Sequence, residues 1–182
     1  MPFELVASAT EVPSVDQVYR DHVADVTRWV SRLAGPGVDL EDLVQEVFTL
    51  VQRHLASYRG EAQLTTWLFQ IAANVVRQHR RRERWRAALG RSHDAKDGTT
   101  REPETSPEDQ VAKREASQLV YRALDRMKDR YRTAIILFEI EDLPGERVAE
   151  LMGIKLASLW VLLHRARAEL VKQVDAIRGE GA

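Results

Sequence analysis

The chain has no cysteine in its 182 residues, which excludes disulfides and thiolate metal sites. It has no uncharged stretch approaching the roughly 18 residues that a membrane span requires, so no membrane insertion is expected. Met1 to Val12 carries Glu4 and lacks a basic opening or long apolar run, so no secretory leader is expected and the cytoplasm is the expected location. Strand-like alternation and internal repeats are missing. So are a nucleophile motif, a phosphate loop and a recognisable acid–base pair, and His22, His54, His79, His93 and His164 show no ligand spacing. An enzyme, a cofactor or a metal centre is therefore not expected.

Net charge is nearly lacking too, at −1, which alone argues against a partner as anionic as nucleic acid. That average conceals segregation. Arg77 to Arg91 holds seven arginines against Glu83, whereas Asp94 to Asp109 holds six acidic and two basic side chains. A local electrostatic footprint is implied rather than a uniformly basic surface.

What the chain has in abundance is helical periodicity. Ser14-Val15-Asp16-Gln17 reads as a capping box, and Val15, Val18, Tyr19, Val23, Val26, Trp29, Val30 and Leu33 then recur at helical spacing up to Gly35-Pro36-Gly37. Asp39 caps a second helix, striped by Leu40, Leu43, Val44, Val47, Phe48 and Val51. Tyr58 to Gln63 reads as a loop, and a third helix is predicted from about Leu64 to Arg86. Periodicity stops from Leu89 to Thr105, where Gly, Ser, Thr, Asp, Glu and Pro predict a flexible linker. Ser106-Pro107-Glu108-Asp109 opens a further helix, with a capping serine, proline at the first position and acids in the first turn. Three more are predicted, roughly Asp129 to Glu141, Pro144 to Met152 and Leu156 to Ile177. The fold class is all-α: two small helical domains, 13–88 and 106–178, joined by a flexible linker at 89–105.

Three constellations carry chemistry. Helix, glycine turn and helix over Pro144 to Met152, Gly153-Ile154 and Leu156 onward form the layout of a DNA-binding helix-turn-helix. Val148, Ala149, Leu151, Ile154, Leu159 and Leu163 are its expected core, with Arg165, Arg167 and Lys172 placed for phosphates. Plain packing produces the same layout. The second constellation is Arg77, Arg80, Arg81, Arg82, Arg84 and Arg86, at the end of a helix whose upstream part carries Trp67 and Phe69, with Tyr58 in the loop before it. One or two cations at a helix C-terminus offset its dipole. Six need another reason, and aromatic faces beside cations suit single-stranded or melted DNA. Trp67 taken alone reads as core. The third is acidic: Asp42, Gln45 and Glu46 share one helix face by i, i+3 and i+4 spacing. Such a face repels DNA and fits a basic protein surface.

In order and spacing, Asp39-Leu40-Glu41-Asp42-Leu43-Val44-Gln45-Glu46-Val47-Phe48, Tyr58-Arg59-Gly60, Thr66-Trp67-Leu68 through Asn74, and the helix-turn-helix ending Arg165-Ala166-Arg167-Ala168-Glu169-Leu170 resemble the sigma-70 family of bacterial transcription initiation factors, specifically its extracytoplasmic-function (ECF) group. The resemblance covers about Val15 to Leu170. It implies that the first domain is sigma region 2 and the second sigma region 4, with no large domain between. It implies that Asp42, Gln45 and Glu46 dock on the coiled coil of the largest subunit of core RNA polymerase, with the polymerase flap as a further contact. Tyr58, Arg59, Gly60, Glu61 and Gln63, with Trp67, then belong to the loop region that captures a flipped minus-ten base. Asn74 matches a base-reading position, and Arg77, Arg80 and Arg81 fall where the family contacts the DNA backbone. The helix from Leu156 corresponds to the one that enters the major groove at the minus-thirty-five element, with Lys155, Ser158, His164 and Arg165 as polar contacts. An anti-sigma factor is an implied partner.

One segment departs from the family pattern. Trp160-Val161-Leu162 stands where polar or basic residues are usual. At 100° per residue Val161 lies opposite the Leu159, Leu163 and Ala166 face, with Trp160 and Leu162 flanking it. Such a surface either touches thymine methyls or binds a protein, including this chain's own first domain folded back. The competing functions are a helix-turn-helix regulator acting without polymerase, which needs neither the acidic face nor the Tyr58 loop, and a sigma-like interaction module, which does not need the arginines.

Overall fold

The computed structural model describes residues 13–60, 62–90 and 107–180, with side chains from 115 onward in the last segment; among them every regular element is helical. The elements are α1 (Val15–Ala34), α2 (Leu40–His54) with a 3₁₀ turn at Leu55–Ser57, α3 (Leu64–Ala88), α4 (Pro107–Asp125), α5 (Asp129–Ile135), α6 (Gly145–Met152) and α7 (Leu156–Glu180). The expected capping serine at 106 and all but the first two residues of the expected linker lie outside the described residues.

Local chemistry sets the ends. The Gln17 amide donates to Ser14 Oγ (3.2 Å) at the start of α1, the serine half of the expected capping box; the return bond from the Gln17 side chain is not formed. The Asp42 amide donates to Asp39 Oδ1 (3.3 Å) at the start of α2. Helix α5 continues into a π turn, Ile136–Ile140, in which the Glu141 amide donates to the Ile136 carbonyl (2.9 Å), so the predicted helix to Glu141 ends in a wider turn. Helix α6 starts one residue after Pro144 and stops at Gly153, whose φ of 63° is left-handed. The Gly153 amide then donates to Glu150 O (3.1 Å) and the Ile154 amide to Ala149 O (2.9 Å), the paired bonds of a glycine C-cap.

In the first domain the α1 stripe (Val18, Val26, Trp29, Val30, Leu33) meets Leu43, Val47, Phe48 and Val51 of α2 and Leu68, Phe69, Ala72, Val75 and Val76 of α3. Trp29 and Phe69 meet edge to face, with centroids 5.4 Å apart at 88°. In the second domain Leu124, Ala134 to Leu137, Val148, Ala149 and Leu151 pack on Leu159, Leu162, Leu163 and Ala166. The buried residues of both domains belong to one apolar cluster, because α6 lies against α3.

Polar contacts line that seam. Arg32 Nε donates to Glu141 Oε1 (2.7 Å), and Arg28 Nε lies 3.2 Å from Glu141 Oε2. Gln70 Nε2 donates to the Leu151 carbonyl, and Thr66 Oγ1 bonds Glu150 Oε1 (3.3 Å). Gly35, with φ of 87°, accepts the ring of Tyr121 so closely that an added Cβ would stand 2.8 Å from its Cδ1. Arg132 is 2% exposed and crosses from α5: one amino group bonds Asp125 Oδ1 (2.9 Å), and the other donates to the Leu33 carbonyl (2.9 Å) and the Ala34 carbonyl (3.4 Å). A cation thus caps the negative end of α1 from another domain.

Candidate nucleic-acid and polymerase interfaces

The acidic face of α2 is where the periodicity placed it. Asp42 and Gln45 are exposed, and Glu46 is half-exposed with its carboxylate 3.2 Å from Arg82 of α3. The α2–α3 edge thus pairs one of the six arginines with the acidic face. Beside Glu46 lies His79, whose pKa is lowered mainly by burial.

Downstream of α2, Tyr58, Arg59, Ser57, Ala62 and Trp67 bound an open hollow of about 380 Å³. Tyr58 and Trp67 line one side of it in tilted contact with each other, with centroids 5.4 Å apart at 47°. The Tyr58 hydroxyl donates to the Ala62 carbonyl (2.6 Å), which folds the loop back and fixes the ring. Gly60 sits at the loop tip with φ of 70° and open space around it, and Arg59 and Gln63 are exposed. Glu61 lies outside the described residues. Trp67 is therefore neither wholly core nor wholly free: one face packs inward and the other lines the hollow.

Along α3, Asn74 is half-buried and accepts a hydrogen bond from Arg77, which orients the amide. Arg77 and Arg81 are exposed. Arg80 differs from both. It is 8% exposed, with one amino group 2.9 Å from Asp129 Oδ1 and the other 3.1 Å from Asp125 Oδ1, so in this arrangement it faces the second domain. The sequence pattern set Arg77, Arg80 and Arg81 together. The helix turns Arg80 to the side of Val76 and Ala73, where α5 packs, and a cleft of about 170 Å³ between the domains is lined by Gln70, Arg77, Arg80, Arg130 and Arg132. Arg132, which the sequence reading did not single out, has its pKa lowered to about 10, by burial first and the Arg80 charge second. A cation that deeply held was visible in the sequence only as one more charged residue on an amphipathic helix.

On α7, Ser158, His164 and Arg165 are exposed, with Lys155 in the turn before it. The apolar segment divides. Val161 is 53% exposed, as expected. Leu162 is buried, against the expectation that it flanks an exposed face, because the core contact of α7 extends over Leu159, Leu162, Leu163 and Ala166. Trp160 is 46% exposed and is not covered by the first domain. Its indole instead stands over Gly145 at the start of α6 and meets Phe138 edge to face at 5.5 Å. Arg167 lies over the other part of that cluster, 5.7 Å from the Phe138 centroid and paired to Glu139 (2.7 Å), so this arginine is engaged within the domain.

Among the described residues no helix is long and apolar enough to cross a membrane, and no group of three or more potential ligands is placed to hold a metal ion. The sigma-70 region 2 family model matches residues 18–86, and the sigma-70 region 4 model residues 117–170. The ECF RNA polymerase sigma-E factor of Haemophilus influenzae is 30% identical over 171 residues, which cover 87% of this chain and 85% of that protein. The RNA polymerase sigma factor YlaC of Bacillus subtilis is 28% identical, with 92% of this chain and 95% of that protein covered. The fold is also that of the sigma factor RpoE solved in complex with the anti-sigma factor NepR from Bartonella quintana (TM-score 0.58, 21% identity, 88% of this chain and 96% of that one). A second solved structure, CnrH in complex with the cytosolic domain of CnrY, aligns with a TM-score of 0.55 at 20% identity over 89% of this chain and 88% of that one. The chain belongs to the ECF group of the sigma-70 family.

Proposed function

We propose that this sigma factor directs core RNA polymerase to promoters and assists their melting through three separate surfaces. Asp42, Gln45 and Glu46 on α2 dock on the largest-subunit coiled coil. The Tyr58–Trp67 hollow takes a flipped base, while Asn74 reads a neighbour and Arg77 and Arg81 hold phosphates. Helix α7 enters the duplex at the minus-thirty-five element with Lys155, Ser158, His164 and Arg165, and the second domain meets the polymerase flap. The factor works in the cytoplasm, forms no bond itself, and has an anti-sigma factor as a further partner; of the solved structures above, one is in complex with an anti-sigma factor and the other with the cytosolic domain of CnrY.

The observation that carries this reading is the hollow. Two aromatic faces, a loop closed by the Tyr58 hydroxyl and flanking Arg59 form a site of about 380 Å³, within the roughly 300–1,000 Å³ of small-ligand sites. A duplex-only regulator has no use for it, since a paired base does not present its face. Tyr58→Ala should weaken binding of a single-stranded minus-ten oligonucleotide by about 1–3 kcal/mol, the usual worth of one stacked base. Asp42→Arg with Glu46→Arg should abolish core polymerase binding in a titration while circular dichroism stays unchanged, because among the described residues the side-chain partner lost is the exposed Arg82. Unchanged core affinity would remove the docking assignment, and unchanged oligonucleotide affinity the base-capture assignment.

A further inference from the structure

Of the apolar segment Trp160-Val161-Leu162, two members are engaged inside the second domain. Leu162 is buried, and the Trp160 indole is held over Gly145 and against Phe138. Val161 stays 53% exposed. It marks the middle of the outward strip of α7: Ala157, Ser158, His164, Arg165 and Ala168 fall within about 60° of it at 3.6 residues per turn, and all five are exposed. In a helix-turn-helix the first turns of the second helix meet base edges. The side chains on this strip limit what it can read there. Adenine is read through the paired groups of Asn or Gln, cytosine through a carboxylate, and guanine through Arg or Lys. No Asn, Gln, Asp or Glu occurs from Lys155 to Ala168, which leaves Lys155 and Arg165 for guanine. Ser158 can bond with any base and so discriminates little. Direct readout of an A·T pair must then come from its thymine, whose distinguishing group in the major groove is the C5 methyl. We propose that Val161 is a specificity-determining residue for the minus-thirty-five element: its methyls pack on the C5 methyl of one thymine, and α7 thereby tells that base from the other three. This rests on the reading of α7 as the helix that enters the duplex.

Charge, size and rigidity favour DNA over a protein as the occupant of this strip. With Lys155 and Arg165 and no carboxylate from Lys155 to Ala168, nothing on it repels phosphate, in contrast to the acidic face of α2. Its apolar part is one valine among alanines, well below the few hundred Å² of contiguous surface that marks a protein-docking patch. The short Ala157 and Ala168 side chains let the helix approach the groove floor closely enough for a valine to reach a base edge. Trp160 fixes the rotation of α7 by its seat on Gly145 and Phe138, so Val161 is presented at one angle. A valine in a helix also keeps one strongly preferred rotamer, so it loses little freedom on meeting the methyl.

Deoxyuridine is the direct probe, because it keeps every hydrogen bond of thymidine and lacks the methyl. The full chain, assembled with core RNA polymerase, first selects duplexes from a pool with a randomised minus-thirty-five segment. Deoxyuridine then replaces each thymidine of the selected sequence in turn. One position should lose affinity about fourfold, the worth of one buried methyl. Val161→Ser should bind the thymidine and deoxyuridine duplexes equally, whereas Val161→Ile should keep the difference. Val161→Arg should bind more tightly through phosphate yet lose the difference, and Arg165→Ala should weaken both duplexes alike and keep it. A difference that survives Val161→Ser, or no methyl-sensitive position in a sequence that is selected, would overturn the methyl readout and leave α7 on DNA. No selection in the randomised segment, with Lys155→Ala and Arg165→Ala binding duplex as the parent does, would instead overturn the placement of α7 in the groove. Loss of core polymerase binding by Val161→Ser, with base preference unchanged, would make the strip a protein contact and overturn the proposal too.

Discussion

Arg132 has the most consequential side chain in the molecule that no sequence motif announces. Its Nε is buried without a partner, and its two amino groups serve one carboxylate and two backbone carbonyls. Replacing it with methionine preserves bulk but strands the Leu33 carbonyl and leaves the half-exposed Asp125 with Arg80 as its partner. A loss of about 2 kcal/mol in urea unfolding is expected, below the 3–5 of a fully buried pair because Asp125 still reaches water. His79 supplies a pH dependence. Its folded pKa lies below the ordinary 6.5 because burial disfavours the imidazolium. The unfolded chain therefore takes up protons first as the pH drops below about 6.5, and stability should fall through that range until the folded-state pKa is reached. Urea midpoints at pH 7.5 and 5.5 should differ more in the parent than in His79→Gln.

At the scale of the elements, the helix-turn-helix depends on a fit between Gly145 and Trp160. An added Cβ at 145 would stand 2.7 Å from Cη2 of the indole, so in Gly145→Ala the Trp160 ring must shift from its seat on α6. A cost of about 1–3 kcal/mol is expected, the usual penalty of overpacking, with minus-thirty-five affinity falling alongside the melting temperature. Trp160 is thus a wedge between helices, and replacing it with arginine removes packing as well as adding charge. Val161 is the position where a cation can be added freely: Val161→Arg should tighten minus-thirty-five binding and steepen its salt dependence by about one unit. Helix boundaries, the Asp39 and Gly153 caps and the acidic face were all legible in the sequence, since each follows from spacing within one helix. The depth of Leu162, the wedge at Trp160 and the pairing of Arg80 were not. Each is decided by which neighbour lies opposite, and that depends on contacts between residues such as 80 and 129, or 145 and 160, whose spacing carries no periodic signal.

The whole molecule reads as two domains in sequence and packs with one continuous apolar cluster. It should accordingly lose structure in a single denaturant transition at low salt, with a slope set by the area of both domains together. Asp125→Asn with Asp129→Asn should resolve that curve into two steps; one unchanged step would mean that the apolar contact of α3 with α6 suffices. The hold of Arg132 on the end of α1 bears on exchange of parts between relatives. Its acceptors are main-chain carbonyls, which any sequence supplies, whereas Glu141 needs Arg28 and Arg32, and Arg80 needs both aspartates. A chimera carrying another first domain would keep the generic hook and forfeit the residue-specific clasps. Hybrid factors assembled from this chain should therefore part their domains at a lower denaturant concentration than this chain does.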